Sequence, residues 1–151
     1  MSSPPQLAFT LDEIRASLRE VFPEIWASGE FEIEAIDPAN ARLRLNFDPR
    51  HLRPGGTISG PSMFALADLA LYVAILARIG PVGLAVTTNL NINFLRKPAP
   101  RDLIGEARLI KLGKRLAVGE VAIFSSGETE LAAHATGTYS IPPRASGDAV
   151  S

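Results

Sequence analysis

The order of apolar and polar residues divides the chain into one long apolar run and several alternating segments. From Ser62 to Ala77 nearly every residue is apolar, a composition typical of a helix that is buried on all its faces. Earlier in the chain, Thr10 and Glu13 have the spacing of a capping box. After them apolar residues recur at helical spacing, which predicts an amphipathic surface helix that ends at Pro23: Leu11, Ile14, Leu18, Val21 and Phe22.

The alternating segments predict strands, because side chains on a strand point to its two faces in turn. Two of them precede the apolar run and four follow it, over residues 30–36, 41–47, 84–95, 102–112, 115–125 and 129–141. The order is then helix, two strands, buried helix and four strands, which favours an α+β fold with the helix on the concave side of an antiparallel sheet. We expect one domain over residues 10–141, between flexible tails at 1–9 and 142–151.

One charged residue, Asp68, lies in the middle of the apolar run. Removing a carboxylate from water costs several kcal/mol, so it needs either a hydrogen-bond donor on a neighbouring strand or a chemical purpose. At the start of the run, Gly60 opens a helix N-terminus, where free N–H groups and positive potential favour a catalytic role.

Gly60 and Asp68 cannot contact the same small group from one helix. They are eight residues apart, or roughly 12 Å at the helical rise per residue. If both serve one site, two copies of the helix must lie antiparallel, with the start of one beside the middle of the other. That arrangement predicts a two-fold dimer with two interfacial sites.

Composition narrows the function classes. The net charge of −1 and the pI near 6.1 give no support for a nucleic-acid partner. The sequence has no cysteine and two distant histidines, so we expect no metal site. The apolar run is slightly short for a membrane span and carries Asp68, and the first residues lack a signal-peptide pattern. We therefore expect no membrane association and a cytoplasmic protein.

Three segments of the sequence resemble those of proteins with the hotdog fold and, among them, of the PaaI-like acyl-CoA thioesterases. The resemblance runs from about Pro23 to Ile141. It implies a long buried central helix wrapped by a curved antiparallel sheet of about six strands, plus an N-terminal helix. It also implies hydrolysis of acyl-CoA to a carboxylic acid and free CoA, with no metal or redox cofactor. The segments that carry it are Gly56-Thr57-Ile58-Ser59-Gly60-Pro61, Phe64-Ala65-Leu66-Ala67-Asp68 and Asn89-Leu90-Asn91-Ile92-Asn93-Phe94-Leu95.

The resemblance also implies roles for individual residues. The Gly60 N–H would polarise the thioester carbonyl, and Asp68 would be the nucleophile or the general base that activates water. The family places these two groups across a homodimer interface and commonly pairs dimers into a dimer of dimers. A strand hydroxyl often completes the site, and Thr87 and Thr88 are its candidates here.

The chain departs from the family pattern at three positions. Where the family has His, the second Gly and Asn, this chain has Ser59, Pro61 and Arg53. The family His and Asn help to hold the carbonyl or the water. These replacements motivate a second hypothesis, a non-catalytic acyl-CoA binding or sensing protein of the same fold. A hydratase ranks third, because its usual Asp and His pair is absent.

Further candidates concern substrate binding. Arg96 and Lys97 follow a predicted strand and could bind the phosphates of coenzyme A. Ordinary solvated loop charges remain the alternative for both. Tyr72 lies one turn after Asp68 and would line either the helix core or an acyl pocket. Arg53 could contact a ligand phosphate or carboxylate, or lie free on the surface.

Overall fold

The computed structural model describes residues 4–80 and 85–143. One six-stranded antiparallel sheet, in the order β1-β2-β4-β5-β6-β3, packs against a central helix. This confirms the predicted α+β architecture. The helices are α1 (Leu11–Val21), α2 (Pro23–Trp26) and α3 (Gly60–Ile79), and the strands are β1 (Phe31–Ile36), β2 (Asn40–Leu45), β3 (Val86–Phe94), β4 (Leu103–Leu112), β5 (Leu116–Ser125) and β6 (Leu131–Ser140).

Helix α1 begins as the capping pattern predicts. The Thr10 hydroxyl accepts from the Glu13 N–H, and the Glu13 carboxylate accepts from the Thr10 N–H. Its buried side chains are Ile14 and Leu18. Pro23 does more than end this helix, because it opens α2 in the helix-starting position. That short helix, and a 3-10 turn at Pro49–His51, are not predicted by the sequence pattern.

Helix α3 is not buried on all its faces, so that prediction is wrong for the single chain. Ten of its twenty residues are buried. Pro61, Phe64, Asp68 and Tyr72, however, follow one another at three- and four-residue spacing as a stripe that is exposed or half-buried. By length and composition alone α3 could also cross a membrane. In this fold all six strands contact the helix.

Three glycines let α3 approach the sheet closely. A Cβ at Gly119 would lie 2.4 Å from Leu71, and one at Gly137, its partner across β5 and β6, 2.9 Å from Leu71. On β4, a Cβ at Gly105 would lie 3.0 Å from Leu66. Glycine at these positions leaves the space that the two leucines fill, because no side chain fits between helix and sheet.

Strand β3 forms one edge of the sheet and is exposed along most of its length. The polar residues of its alternating pattern are exposed, namely Asn89, Asn91 and Asn93, while Leu90 and Ile92 are half-buried and pack against the core. Among the described residues, no strand pairs with the outer edge of β3. This edge therefore offers unpaired backbone groups to another chain.

The predicted N-terminal tail has contacts in its last residues. The Ala8 N–H donates to the Ala77 carbonyl at 2.7 Å, and Leu7 and Phe9 pack against the core. Residues 1–3, and residues 144–151 of the predicted C-terminal tail, lie outside the described residues. The flexibility of both tails stays a prediction.

Replacing Gly119 should test the close approach of α3. In Gly119→Ala the new methyl group would meet Leu71 at 2.4 Å and the Arg108 carbonyl oxygen at 2.8 Å. Because a backbone oxygen cannot rotate away, we expect a loss of about 1–3 kcal/mol in the free energy of unfolding. Urea denaturation at one fixed protein concentration measures it.

Gly105→Ala is the matched control, because its methyl group would meet only Leu66 side-chain atoms, at 3.0–3.4 Å. That side chain can shift, so the loss should be smaller. An equal or larger loss for Gly105→Ala would contradict the packing that we describe.

Candidate active site

Asp68 accepts two short hydrogen bonds on one carboxylate oxygen. The Thr87 hydroxyl donates to Oδ1 at 2.7 Å and the Tyr139 hydroxyl donates to the same atom at 2.6 Å. Tyr139 also lies 3.0 Å from the Asp68 carbonyl oxygen. Within the described part of the chain Oδ2 accepts no hydrogen bond. The carboxylate is thus fixed through one oxygen and open at the other.

Sequence analysis identified Thr87 as a candidate but missed Tyr139. Tyr139 lies on β6, where residues 133, 135, 137 and 139 alternate onto the inner face of the sheet. A buried tyrosine hydroxyl generally needs a hydrogen-bond partner. That rule was the available signal for pairing Tyr139 with a polar group such as Asp68. Thr88, the other candidate, instead points its hydroxyl to the Thr138 carbonyl at 3.2 Å and is not part of this cluster.

The Tyr139 phenol is held in its neutral form. Burial raises its pKa well above the ordinary value, and the adjacent Asp68 carboxylate raises it further. Tyr72 lies beside it, with the two rings 6.1 Å apart, and burial raises its pKa as well. The Tyr139 hydroxyl therefore keeps its proton and donates a hydrogen bond to Asp68 at any physiological pH.

A cavity of about 540 Å³ opens in front of Asp68. This volume lies within the range of about 300–1,000 Å³ that small-molecule sites occupy. The polar groups Asp68, Thr87 and Tyr139 are collected in one part of its lining, and the other lining residues are Val21, Phe22, Leu69, Tyr72, Ala85 and Val86. Such a site suits a ligand with one reactive polar group and an apolar body.

The start of α3 presents one free amide. Ser59 is the N-cap, and its hydroxyl accepts from the Ser62 N–H at 3.3 Å. Its carbonyl accepts from Met63, while Pro61 has no N–H. Of the first amides of the helix, that of Gly60 therefore has no acceptor among the described residues. A free N–H at a helix N-terminus can stabilise developing negative charge.

A buried histidine holds the loop that leads to Gly60. Nε2 of His51 lies 2.7 Å from Glu30, and Nδ1 accepts from the Asp48 N–H at 3.1 Å. The His51 carbonyl in turn accepts from the Ser59 N–H at 2.8 Å. These contacts fix the entry to α3, although sequence analysis assigned His51 no role.

The predicted substrate-binding residues lie in different environments. Tyr72 lines the cavity. Arg53 and Lys97 are exposed, and neither forms an ion pair among the described residues. Arg96 is already paired, with Glu130 and, at 3.0 Å, with Glu128.

Gly60 and Asp68 remain separated within one chain, as the helical rise requires. They stand at the first and ninth residues of α3, roughly 12 Å apart along its axis. The Phe94 ring lies against the Cα side of Gly60, since a Cβ there would lie 3.2 Å from Phe94 Cζ. One protomer therefore presents two separate half-sites.

The cavity beside Asp68 is not the largest in the protein. One of about 620 Å³ lies between α1 and β1, and it contains Glu34, whose carboxylate is paired with Arg42 and Arg44. Since these guanidinium groups hydrogen-bond Glu34 and keep its pKa low, that carboxylate is structural. Among the described residues no three His, Cys, Asp or Glu side chains form a group that could hold a metal ion.

Comparison with known proteins places this geometry in a family. The model of the thioesterase superfamily matches residues 55–132, more than half of the chain. The chain belongs to this superfamily. A relative from Saccharolobus solfataricus, named "putative esterase", is 31% identical over 130 residues, which are 86% of this chain and 84% of the relative.

Solved structures agree with the superfamily assignment. One from Silicibacter sp. TM1040, named "putative thioesterase", is 53% identical, with a TM-score of 0.84 over 92% of this chain and 96% of that one. A mutant of the phenylacetic acid degradation protein PaaI from Thermus thermophilus is 26% identical, with a TM-score of 0.67 over 77% and 96% of the two chains. The hotdog fold and the PaaI-like resemblance are confirmed, and hydrolysis is the chemistry that this membership supports.

Alkaline titration should reveal the neutral tyrosine beside Asp68. Both tyrosines of the chain have a raised pKa, so the folded protein should show little tyrosinate absorbance at pH 10, where an ordinary phenol is half ionised. The Tyr72→Phe variant isolates Tyr139. The pKa of Tyr139 is higher in the folded protein than in the unfolded chain. The stability that the neutral Tyr139 contributes is therefore complete below pH 10 and falls as the pH rises above 10.

The same protein unfolded in urea is the control and should titrate near pH 10. Half ionisation of folded Tyr72→Phe at that pH would contradict the buried hydrogen bond between Tyr139 and Asp68.

Proposed function

We propose that this protein is an acyl-CoA thioesterase that works as a homodimer. The observation that carries the proposal is the Asp68 carboxylate, which has Oδ1 fixed by two hydroxyl groups and Oδ2 open beside a cavity with apolar walls. A carboxylate in that state is available to take a proton or to attack a carbonyl. Superfamily membership supports thioester hydrolysis as the reaction.

Two routes are compatible with this geometry. In the first, Asp68 removes a proton from water while the water oxygen bonds to the thioester carbon. In the second, Oδ2 itself attacks, and water then hydrolyses the acyl-Asp68 anhydride. In both, the C–S bond breaks, the CoA sulfur leaves and takes up a proton, and the products are a carboxylic acid and free CoA.

The developing oxyanion needs a donor that this protomer does not bring to Asp68. The free Gly60 N–H of the partner subunit would supply it, if two α3 helices lie antiparallel. The exposed edge of β3 supports such an interface, since Val86 and Phe94 of β3 and the following Leu95 are each more than half exposed. A further pairing of dimers is part of the proposal on family grounds.

The phosphates of coenzyme A would meet cations near the start of α3. The Ile58 N–H donates to the Pro98 carbonyl, so the segment that carries Lys97 lies beside the loop of Arg53. Both side chains are exposed and without an ion pair among the described residues, which favours them over Arg96. Arg96 would have to leave Glu128 and Glu130 to bind a phosphate.

A non-catalytic acyl-CoA binding protein is the second candidate. Its supporting observation is Ser59, which stands where the family has His and whose hydroxyl caps α3 rather than facing the cavity. The binding hypothesis and the enzyme share the same cavity and differ only in whether the thioester is cleaved.

Asp68→Asn should abolish hydrolysis while the fold persists. The amide oxygen can still accept from Thr87 and Tyr139, but it cannot take up a proton, so kcat/KM should fall by roughly 10²–10⁴. Release of free thiol from a panel of aromatic and aliphatic acyl-CoAs measures the loss. Circular dichroism of the variant checks the fold.

Asp12→Asn provides the matched control, because Asp12 is a fully exposed carboxylate on α1 and should leave the rate unchanged. Rapid hydrolysis by Asp68→Asn would refute the role of Asp68. Binding of acyl-CoA by calorimetry without thiol release from the wild type would favour the binding protein instead.

A further inference from the structure

Two apolar residues at the end of α1 face the same cavity as Asp68. Val21 is the last residue of α1, Phe22 is the connecting residue, and Pro23 begins α2. We call these three residues the elbow. Val21 is 63% exposed and Phe22 is 37% exposed, yet both line the cavity in front of Asp68.

The elbow lies outside the buried core. Helix α1 packs through Ile14 and Leu18, which are buried, whereas Val21 and Phe22 are not among the buried residues of the core. Full burial of such a side chain is worth about 1.5–3 kcal/mol, and each of these two forfeits a part of it by remaining open to water. That cost is recovered if a ligand covers them.

The backbone fixes where the elbow stands. Phe22 has φ −142° and ψ 58°, outside the helical range, so the chain turns sharply between the two helices. Pro23 then locks its own φ, and the Trp26 N–H bonds back to the Phe22 carbonyl at 3.1 Å. A wall held in this way can limit the length of what lies in the cavity.

We propose that the elbow is the end wall of the acyl pocket and that Phe22 sets the longest acyl group the protein accepts. The inference rests on the proposed function, since Asp68 marks where the thioester carbon must lie. The same cavity is lined by Leu69, Tyr72 and Phe22. Its lining away from Asp68 contains no charged group, so the acyl group that it takes is hydrophobic and uncharged.

This arrangement predicts that kcat/KM rises with acyl chain length up to a limit and that the slope then breaks. Each methylene buried along the cavity should raise kcat/KM by a factor of about four, because burial of one CH₂ is equivalent to that ratio. Beyond the length that reaches Phe22, the gain should stop. The wild-type profile over a series of straight-chain acyl-CoAs gives the position of the break.

Two substitutions should move the break in opposite directions. Phe22→Ala shortens the wall and should shift the break to longer chains, with a gain of roughly tenfold for the first acyl groups that the wild type excludes. Val21→Phe adds bulk and should shift the break to shorter chains. Neither side chain is among the buried residues of the core, so both variants should fold. Leu116→Ala is the control, because Leu116 is 53% exposed on β5 and does not line this cavity.

The experiment measures both kcat/KM and the calorimetric Kd for the same acyl-CoA series. Opposite shifts for Phe22→Ala and Val21→Phe, with Leu116→Ala unchanged, would establish the elbow as the length limit. An unchanged break in both elbow variants would overturn the inference while wild-type hydrolysis left the proposed function intact. If no acyl-CoA were hydrolysed but the break in Kd still moved, the elbow would be supported as the length limit and the proposed hydrolysis would be refuted. Absence of both hydrolysis and binding would overturn both.

Discussion

The close approach of α3 to the sheet is the constraint on which the site depends. Gly119 and Gly137 are partners across β5 and β6, and Leu71 fills the space above both. Tyr139 follows Gly137 by two residues on the same inner face, and Asp68 precedes Leu71 by three. The contact that seats the helix therefore also brings the Tyr139 hydroxyl within 2.6 Å of the carboxylate. A side chain at either glycine would push the helix away and separate these two groups.

The same helix divides the chemistry between two places. Its middle carries the Asp68 carboxylate. Its first turn carries the Gly60 amide, which has no acceptor among the described residues. Because the helix is rigid, these groups cannot approach one another within one protomer. In the proposed homodimer, the second copy would cover the exposed stripe on α3 and the open edge of β3. Such a dimer would explain why the single chain leaves the apolar residues of these surfaces exposed beside Asp68.

The sequence was sufficient to predict the helices and strands whose pattern of apolar and polar residues is long and regular. It also identified Asp68 and Gly60, which interrupt or begin the apolar run. All six strands, α1 and α3 were predicted, because their periodicity extends over several residues. Asp68 was identified as the one charge in an apolar run, and Gly60 as its helix start. These signals are local and need no knowledge of register.

The features that were missed depend on contacts between distant parts of the chain. The role of Tyr139 follows from the pairing of β6 with its neighbours, and the salt bridges of Arg96 follow from the approach of Glu128 and Glu130. The prediction that α3 is buried on every face was wrong because composition does not record how far a sheet wraps around a helix. The elbow was missed because its two apolar residues continue the pattern of α1 without a change in composition.

The most direct test of the shared site mixes two inactive variants. Asp68→Asn removes the carboxylate, and Gly60→Pro removes the amide N–H at a helix position that tolerates proline. Gly60→Ala, which keeps the N–H and adds a comparable Cβ, is the control and should retain most activity. If each site takes Gly60 from one protomer and Asp68 from the other, half of the random dimers are mixed and each mixed dimer regains one intact site. Unfolding and refolding the two variants together should then restore roughly a quarter of wild-type thioester hydrolysis. No recovery, from variants that refold and form dimers, would show that the two residues do not serve one site across the interface.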